Sequence, residues 1–205
     1  VEVVLPAGES AASAHAFVRA KRRWVFDKTL EIGERQARET SYLSGTKVRF
    51  RGRWLTLEVE AGAAKTGRVA YRSRFYVTLP RGVAKAERAA ATKELLDSWT
   101  QDRLLEDGDR FARRYGEKAG VEISGVAVVP MKQMWASCGK DRVVRLNADL
   151  IELPRAILEY VIAHEIAHLV HRNHSPAFCA TVGGLLPEWR ERQAWLDRYE
   201  RRLEL

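Results

Sequence analysis

Two histidines and a glutamate form the group of residues whose side-chain types and spacing best suit metal binding and catalysis. His164, Glu165 and His168 lie in the stretch H-E-I-A-H, which fits the pattern H-E-x-x-H. On an α-helix, positions i and i+4 share one face about one turn apart, so both imidazoles can reach a single metal ion. Glu165 is rotated by about 100° from His164, which keeps its carboxylate out of the pair but close to a metal-bound water. The stretch therefore predicts a zinc site with a general base beside it.

A catalytic zinc usually has a third protein ligand, and His171 and His174 are the candidates. If the helix continued, His171 would lie about 7 Å along the axis from the midpoint of the first pair, too far for one tetrahedral site. His174 can approach if the chain turns back. Asn173 tolerates the left-handed conformation that ends helices, and Ser175–Pro176 fits the N-cap and first position of a following helix. His171 is thus left outside the predicted ligand set of His164, His168 and His174.

The chemistry predicted for this site is hydrolysis of an amide bond. Zinc lowers the pKa of its bound water toward neutrality, and Glu165 takes the water proton and later gives it to the leaving amine. Apolar residues flank the motif, so its polar side chains would be buried, which is costly unless they have a partner such as zinc. We therefore predict a zinc-dependent metallopeptidase that acts on polypeptides without a covalent intermediate. The sequence assigns no substrate-binding residue.

Two longer motifs resemble the YgjP-like metallopeptidases, which are relatives of the SprT and WLM zincins. The first is M-K-Q-M-W-A-S-C at residues 131–138, and the second joins H-E-I-A-H-L to N-H-S-P-A-F at residues 173–178. The histidine spacing is also that of the metzincin zinc site, but His171 stands where that pattern has glycine. Weaker similarity extends over nearly the whole chain, at Lys21–Trp24, Gly52 and Leu146–Asn147.

The resemblance implies a zincin-like catalytic domain with an N-terminal extension. It also implies the same three histidine ligands, with Glu165 as the catalytic carboxylate. Cys179 stands where such proteins often have a bulky aromatic residue, and Met134 where a basic residue is common. These departures leave the metal site intact and make the substrate preference of the family less transferable.

The part of the chain before these motifs predicts a helix followed by a small β unit. Residues 10–33 have helical composition after a turn signal, with a serine as the N-cap. Val48–Arg51 and Leu55–Val59 flank Gly52–Arg53, which indicates a hairpin, and residues 69–79 alternate between apolar and mostly polar types.

The second part of the chain predicts helices around another sheet. Residues 83–119 are rich in helix formers and predict one long helix, or two in succession with a break at Asp107–Asp109. Residues 121–129 and 143–146 indicate strands, with residues 131–141 as a loop between them.

A further helix opens at Pro154 and carries the motif. The predicted fold is α+β, with an active-site helix packed on a small sheet and a helix and β-hairpin as the N-terminal extension. The predicted division is residues 1–82 as the basic extension and residues 83–205 as the metallopeptidase domain.

The formal charge of +8 is unevenly distributed along the chain. Residues 1–120 hold 24 Lys and Arg against 16 Asp and Glu, whereas residues 121–205 hold 11 of each. Such a field attracts polyanions, so nucleic acid contact through the N-terminal part is one expectation, and a solubilising basic face is the other. No apolar run approaches the roughly 20 residues of a membrane helix, and no signal peptide is evident. We expect a cytoplasmic protein that does not bind a membrane.

Other functions compete with the peptidase. The same zinc site could hydrolyse a phosphoanhydride, as in a nucleotide (UTP) pyrophosphatase, although no P-loop or carboxylate cluster for magnesium is evident. A nucleic-acid-binding module with structural zinc would have no need for Glu165. A peptidase guided to DNA would combine both classes and process protein attached to DNA, by analogy with SprT relatives.

Several residues near the motif have two interpretations. Val143–Leu146 could pair with an extended peptide by strand addition. Trp135 could grip substrate and the thiol of Cys138 could bind zinc in a latent enzyme, but packing in the core is the favoured interpretation for both. A structural role is also favoured over oxyanion stabilisation for Tyr160, Arg145 and His171.

Overall fold

The computed structural model describes Lys21, Trp24 and residues 42–131 and 134–204. The helix predicted over residues 10–33 lies outside the described residues, except for those two positions. The first described strand is β1, Lys47–Phe50.

A four-stranded sheet opens the described chain. Its strands are β1, β2 (Arg53–Ala61), β3 (Arg68–Tyr71) and β4 (Phe75–Leu79). The strand order is β1-β2-β4-β3, with β2 and β4 parallel and the other two pairs antiparallel. Alternate residues of β2 and β4 face inward, since Leu57, Phe75 and Val77 are fully buried. The predicted β unit is confirmed.

The hairpin between β1 and β2 turns at Arg51 and Gly52, one residue before the predicted turn. Both residues have positive φ, 49° and 81°, as a type I′ turn requires. A Cβ atom at Gly52 would lie 2.8 Å from Cγ of Pro154. The tip of the hairpin therefore packs closely against the start of the helix that carries the H-E-x-x-H motif.

One 32-residue helix, α1 (Arg88–Ala119), follows the first sheet. It ends at Gly120 in the left-handed conformation, with φ 68°. The alternative of two helices broken at residues 107–109 is wrong. Asp107 and Gly108 are buried there, and Asp107 forms ion pairs with arginines from outside the helix. These tertiary contacts outweigh the low helix propensity of both residues.

A second sheet has three strands, β5 (Gly125–Val129), β6 (Ala136–Cys138) and β7 (Val143–Asn147). Its order is β5-β7-β6, with β5 parallel and β6 antiparallel to β7. Two of the strands were predicted. The third, β6, lies inside the predicted loop of residues 131–141, because three residues are too few to show an alternating pattern.

Three helices complete the chain, namely α2 (Arg155–Val170), α3 (Pro176–Leu185) and α4 (Trp189–Glu204). α2 is buried on most sides, and Ile162 and Ile166 are fully enclosed, each contributing about 1.5–3 kcal/mol through burial. One apolar core extends from Phe50 in the first sheet, past α2, to Leu196 in α4. The α+β class is confirmed, with the motif helix packed against the small second sheet. Within the described residues, every helix lacks the length or the hydropathy needed to span a bilayer.

Candidate metal centre

The three predicted ligands meet at one point. His164 and His168 lie one turn apart on α2, and the Nε2 atoms of the two rings are 3.2 Å apart. Nε2 of His174 lies 3.1 Å from Nε2 of His164. Among the described residues, these three histidines form the group of metal-ligating side chains that could hold an ion. The structure therefore brings together the three residues that the spacing selected.

A short turn after α2 carries His174 back toward the pair. The helix ends at His171, whose φ of −134° and ψ of 114° are extended. Asn173 does not have the positive φ expected for a left-handed helix end, so that detail of the prediction is wrong. Ser175 caps α3 by accepting a hydrogen bond from the backbone N–H of Phe178 at 3.3 Å, and Pro176 is its first residue, as predicted.

The hydrogen bond of His168 determines which of its nitrogens faces the cluster. Nδ1 of His168 lies 3.2 Å from the carbonyl oxygen of His171. A carbonyl can only accept, so Nδ1 carries the proton, and in the neutral ring Nε2 keeps its lone pair. Burial lowers the pKa of His168 and so favours the neutral ring. His171 thus meets the cluster through its backbone carbonyl.

His164 is held in a similar way by Tyr160, one turn earlier on α2. The Tyr160 hydroxyl lies 3.4 Å from Nδ1 of His164. Burial, together with the neighbouring imidazoles, lowers the pKa of His164 to about 4, so its ring is neutral at pH 7. Burial also raises the pKa of Tyr160 and keeps the phenol protonated. Tyr160 therefore restricts the orientation of the His164 ring.

Phe178 supports all three imidazoles, and the sequence patterns assigned it no role. Its ring stacks on His168 at a centroid distance of 4.5 Å and lies 5.0 Å from His164 and 4.8 Å from His174. Only 2% of Phe178 is exposed. Because the Ser175 cap fixes the first turn of α3, it also fixes the position of this ring beneath the cluster.

The geometry of the cluster fits a divalent metal. Four-coordinate metal centres with metal–nitrogen bonds of about 2.0–2.1 Å place their nitrogen ligands about 3.3 Å apart. The two Nε2 separations of 3.1 and 3.2 Å are close to that value. Neutral rings whose lone pairs converge repel one another unless a cation lies between them. The three side chains therefore have the spacing of a metal ligand set.

Glu165 lies beside the cluster and is not a member of it. The backbone N–H of Cys138 donates a hydrogen bond to its carboxylate. Burial raises the pKa of Glu165 to about 7, and the Cys138 N–H opposes part of that rise. Strand β6 thus contacts the carboxylate of a residue on α2, and the two residues in contact are 27 positions apart in the sequence.

The second sheet presents a different strand to the site from the one expected. β7, which contains residues 143–146, is the middle strand and pairs on both sides, so it cannot accept an added peptide strand. That expectation is wrong. β5 and β6 are the edge strands, and Cys138 of β6 contacts Glu165.

The remaining residues near the motif have structural partners. Trp135 donates from Nε1 to a carboxylate oxygen of Glu200 at 2.6 Å. Arg145 pairs with Asp141, with a shortest distance of 2.5 Å. The Cys138 thiol is half-buried, and burial, with Glu165 nearby, raises its pKa to about 11, which disfavours a zinc-binding thiolate.

A buried H-E-x-x-H helix, a third converging imidazole and a carboxylate at the edge of a sheet define a metal-dependent hydrolase of the metallopeptidase class. The chain belongs to the YgjP-like metallopeptidase family. The model of this family, described as "YgjP-like, metallopeptidase domain", matches residues 1–199.

Two solved structures resemble part of the chain. The metallopeptidase zymogen abylysin of Pyrococcus abyssi is 23% identical, with a TM-score of 0.40, over 46% of this chain and 93% of its own. The zymogen jannalysin of Methanocaldococcus jannaschii is 24% identical, with a TM-score of 0.39, over 44% of this chain and 93% of its own. A comparison with curated proteins gave no match.

Proposed function

We propose that the chain is a zinc-dependent peptidase in which His164, His168 and His174 hold the metal and Glu165 is the general base. The observation that carries the proposal is the convergence of three imidazole nitrogens on one point. Imidazole ligands suit zinc, and three protein ligands leave a coordination position for water or substrate. Membership of a metallopeptidase family supports peptide-bond hydrolysis as the reaction.

Glu165 carries both proton transfers of the proposed reaction. His164, His168 and His174 would hold the zinc, which would supply a Lewis acid for the attacking water and for the carbonyl oxygen of the substrate. Glu165 accepts the proton of the attacking water on a carboxylate oxygen and returns it to the nitrogen of the leaving amine. A pKa of about 7 suits a group that must both accept and release a proton near neutral pH. The Cys138 N–H keeps the carboxylate in position throughout.

The edge strand β6 is the proposed binding surface for the polypeptide. It pairs with β7 on one side, and no strand lies on its other side among the described residues. An extended peptide can add there through main-chain hydrogen bonds. Cys138 belongs to β6 and bonds Glu165, so a peptide aligned with this strand passes the general base.

Zinc content and hydrolysis, measured together, test the proposal. Wild type should bind one zinc ion and cleave an unfolded protein. Glu165→Gln should keep the metal and lose about 10²–10⁴-fold in rate, because only the proton acceptor is removed. His168→Ala should lose both the bound metal and the activity.

Glu117→Gln, at an exposed position of α1, is the matched control and should resemble wild type. UTP serves as the alternative substrate. Hydrolysis of UTP without cleavage of protein would replace the peptidase with a pyrophosphatase. Full activity of Glu165→Gln would remove the proposed base.

A further inference from the structure

A cavity of about 390 Å³ lies between the first sheet, α1 and the start of α2. Its volume is in the range of about 300–1,000 Å³ that small-molecule pockets occupy. Arg155 lines it and begins α2, so the cavity is displaced from His164 by nine residues, or about 13.5 Å along the helix axis. The cavity is therefore separate from the metal centre.

Arginines dominate the charge of this cavity. Asp107 is buried, and its carboxylate lies 2.5 Å from Arg51 and 3.0 Å from Arg155. Arg103 pairs with Glu106 at 2.9 Å. Four guanidinium groups against two carboxylates leave a formal excess of two positive charges. The four that line the cavity are Arg51, Arg103, Arg110 and Arg155.

The protein leaves part of the donor capacity of these guanidinium groups unused. Within the described part of the chain, the buried Nε–H groups of Arg51, Arg103 and Arg155 have no acceptor. Guanidinium groups bind phosphate and carboxylate through paired N–H donors.

Three aromatic rings complete the lining. The ring of Phe50 lies 5.1 Å from Tyr71 and 5.6 Å from Trp99, between centroids. Tyr71 is 39% exposed, so part of its ring is free to contact a ligand. Phe50 is only 1% exposed and the guanidinium carbon of Arg103 lies 5.3 Å from the Trp99 ring centroid, so Tyr71 is the ring on which a planar group can stack.

We propose that this cavity binds a phosphate monoester that carries a planar ring. A phosphate monoester has a charge of about −1.5 to −2 at pH 7, which matches the excess of two positive charges. Inorganic phosphate alone is much smaller than the cavity and makes no use of the aromatic rings. A nucleotide unit has both parts, whether it is a free mononucleotide or the 5′-phosphorylated end of a single strand.

Calorimetric titration of the full chain at constant ionic strength tests the proposal. The probes are adenosine 5′-monophosphate, phenyl phosphate, adenosine and inorganic phosphate. The two esters should bind saturably at one site, and adenosine and inorganic phosphate at least about tenfold more weakly, since each lacks one of the two contacts. Short single strands with a 5′-phosphate or a 5′-hydroxyl form a second arm. A phosphorylated strand that binds more tightly than the mononucleotide identifies nucleic acid as the source of the ligand.

Matched variants locate the site. Arg103→Gln should weaken binding of the esters by about tenfold, and Arg113→Gln, which removes the same charge from an exposed position of α1 outside the cavity, should not. If Arg103→Gln melts early, the more exposed Arg110→Gln replaces it. His168→Ala should still bind the esters, because the metal centre is not involved. Equal losses in Arg103→Gln and Arg113→Gln, loss of binding in His168→Ala, or no saturable binding by wild type would each overturn the proposal.

Discussion

Glu159 is a partly buried carboxylate on α2 that joins three helices. It accepts a hydrogen bond from the Tyr115 hydroxyl at 2.7 Å and from Arg192 at 2.6 Å, and Arg114 lies 3.3 Å away. Burial acts to raise the pKa of Glu159, but the hydrogen bonds from Tyr115 and Arg192, with the charges of the arginines, outweigh it and hold the pKa below its usual range. The charged form of Glu159 therefore stabilises the fold.

Because its pKa is lower in the folded than in the unfolded chain, Glu159 contributes stability above the ordinary glutamate pKa and loses it as the pH falls through the folded-state pKa. Glu159→Gln should lower the free energy of unfolding by about 1–3 kcal/mol at pH 7 and by less at pH 3.5. Urea denaturation in EDTA between pH 3.5 and 7 measures this difference. Glu191→Gln, at an exposed position of α4, should follow wild type. Parallel curves for wild type and Glu159→Gln would contradict the assignment.

The residues of the metal centre differ in how far the sequence predicts them. The i, i+4 spacing and the Ser-Pro start of the next helix suffice for the three histidines, because both signals are local. Cys138 is 27 positions from Glu165, and nothing local indicates that its N–H meets that carboxylate. The role of Phe178 depends on where α3 packs, which the sequence pattern does not contain.

Among the elements, α1 packs closely against the second sheet at Gly108. A Cβ atom there would lie 2.9 Å from Cδ1 of Leu146 and 3.0 Å from Cγ1 of Val126. Gly184 in α3 provides the contrast, because a Cβ atom there would meet nothing within 4 Å. Substitutions at the two helical glycines thus allow the effect of close packing on stability to be measured apart from the effect of helix propensity.

Gly→Ala should have opposite effects at these two positions. At Gly184 the gain in helix propensity should stabilise the protein by about 0.5–1 kcal/mol. At Gly108 the same gain is opposed by overpacking, and a net loss of about 1–2 kcal/mol is expected. Thermal and urea unfolding of both variants measure the effects. Stabilisation by Gly108→Ala would show that α1 can move away from the sheet without cost.

The elements that the sequence predicts poorly share a dependence on tertiary contacts. Residues 107–109 would break an isolated helix, yet burial and the arginine partners of Asp107 keep α1 continuous. β6 exists because β7 offers it a pairing edge, so its three residues carry little signal of their own. The long periodic segments, such as residues 88–119, were predicted because their own pattern determines them.

At the scale of the whole molecule, the N-terminal sheet is connected to the helix of the metal centre. The hairpin tip packs on Pro154, and Asp107 of α1 pairs with Arg51 of the same tip and with Arg155 at the start of α2. Nucleic acid contact through the basic residues 1–120 stays a prediction. The apolar core passes between the two parts of the chain, so tests of that contact require the intact protein.

Asp107 is the residue on which this connection depends most. Asp107→Asn removes the negative charge that Arg51, Arg155 and, at 3.9 Å, Arg110 share, and should lower the free energy of unfolding by about 1–3 kcal/mol. The loss should stay below that of a fully buried pair, because the Arg51 and Arg155 side chains are 34% and 40% exposed and keep part of their hydration. Asp109→Asn removes the same charge from an exposed position two residues away and should change stability by less than about 0.5 kcal/mol. Urea unfolding followed separately by circular dichroism and by tryptophan fluorescence measures both variants. If the first sheet and the metal-site helix unfold as one unit through this junction, the two signals coincide in wild type and separate in Asp107→Asn. Equal stability of Asp107→Asn and Asp109→Asn would show that the junction contributes little.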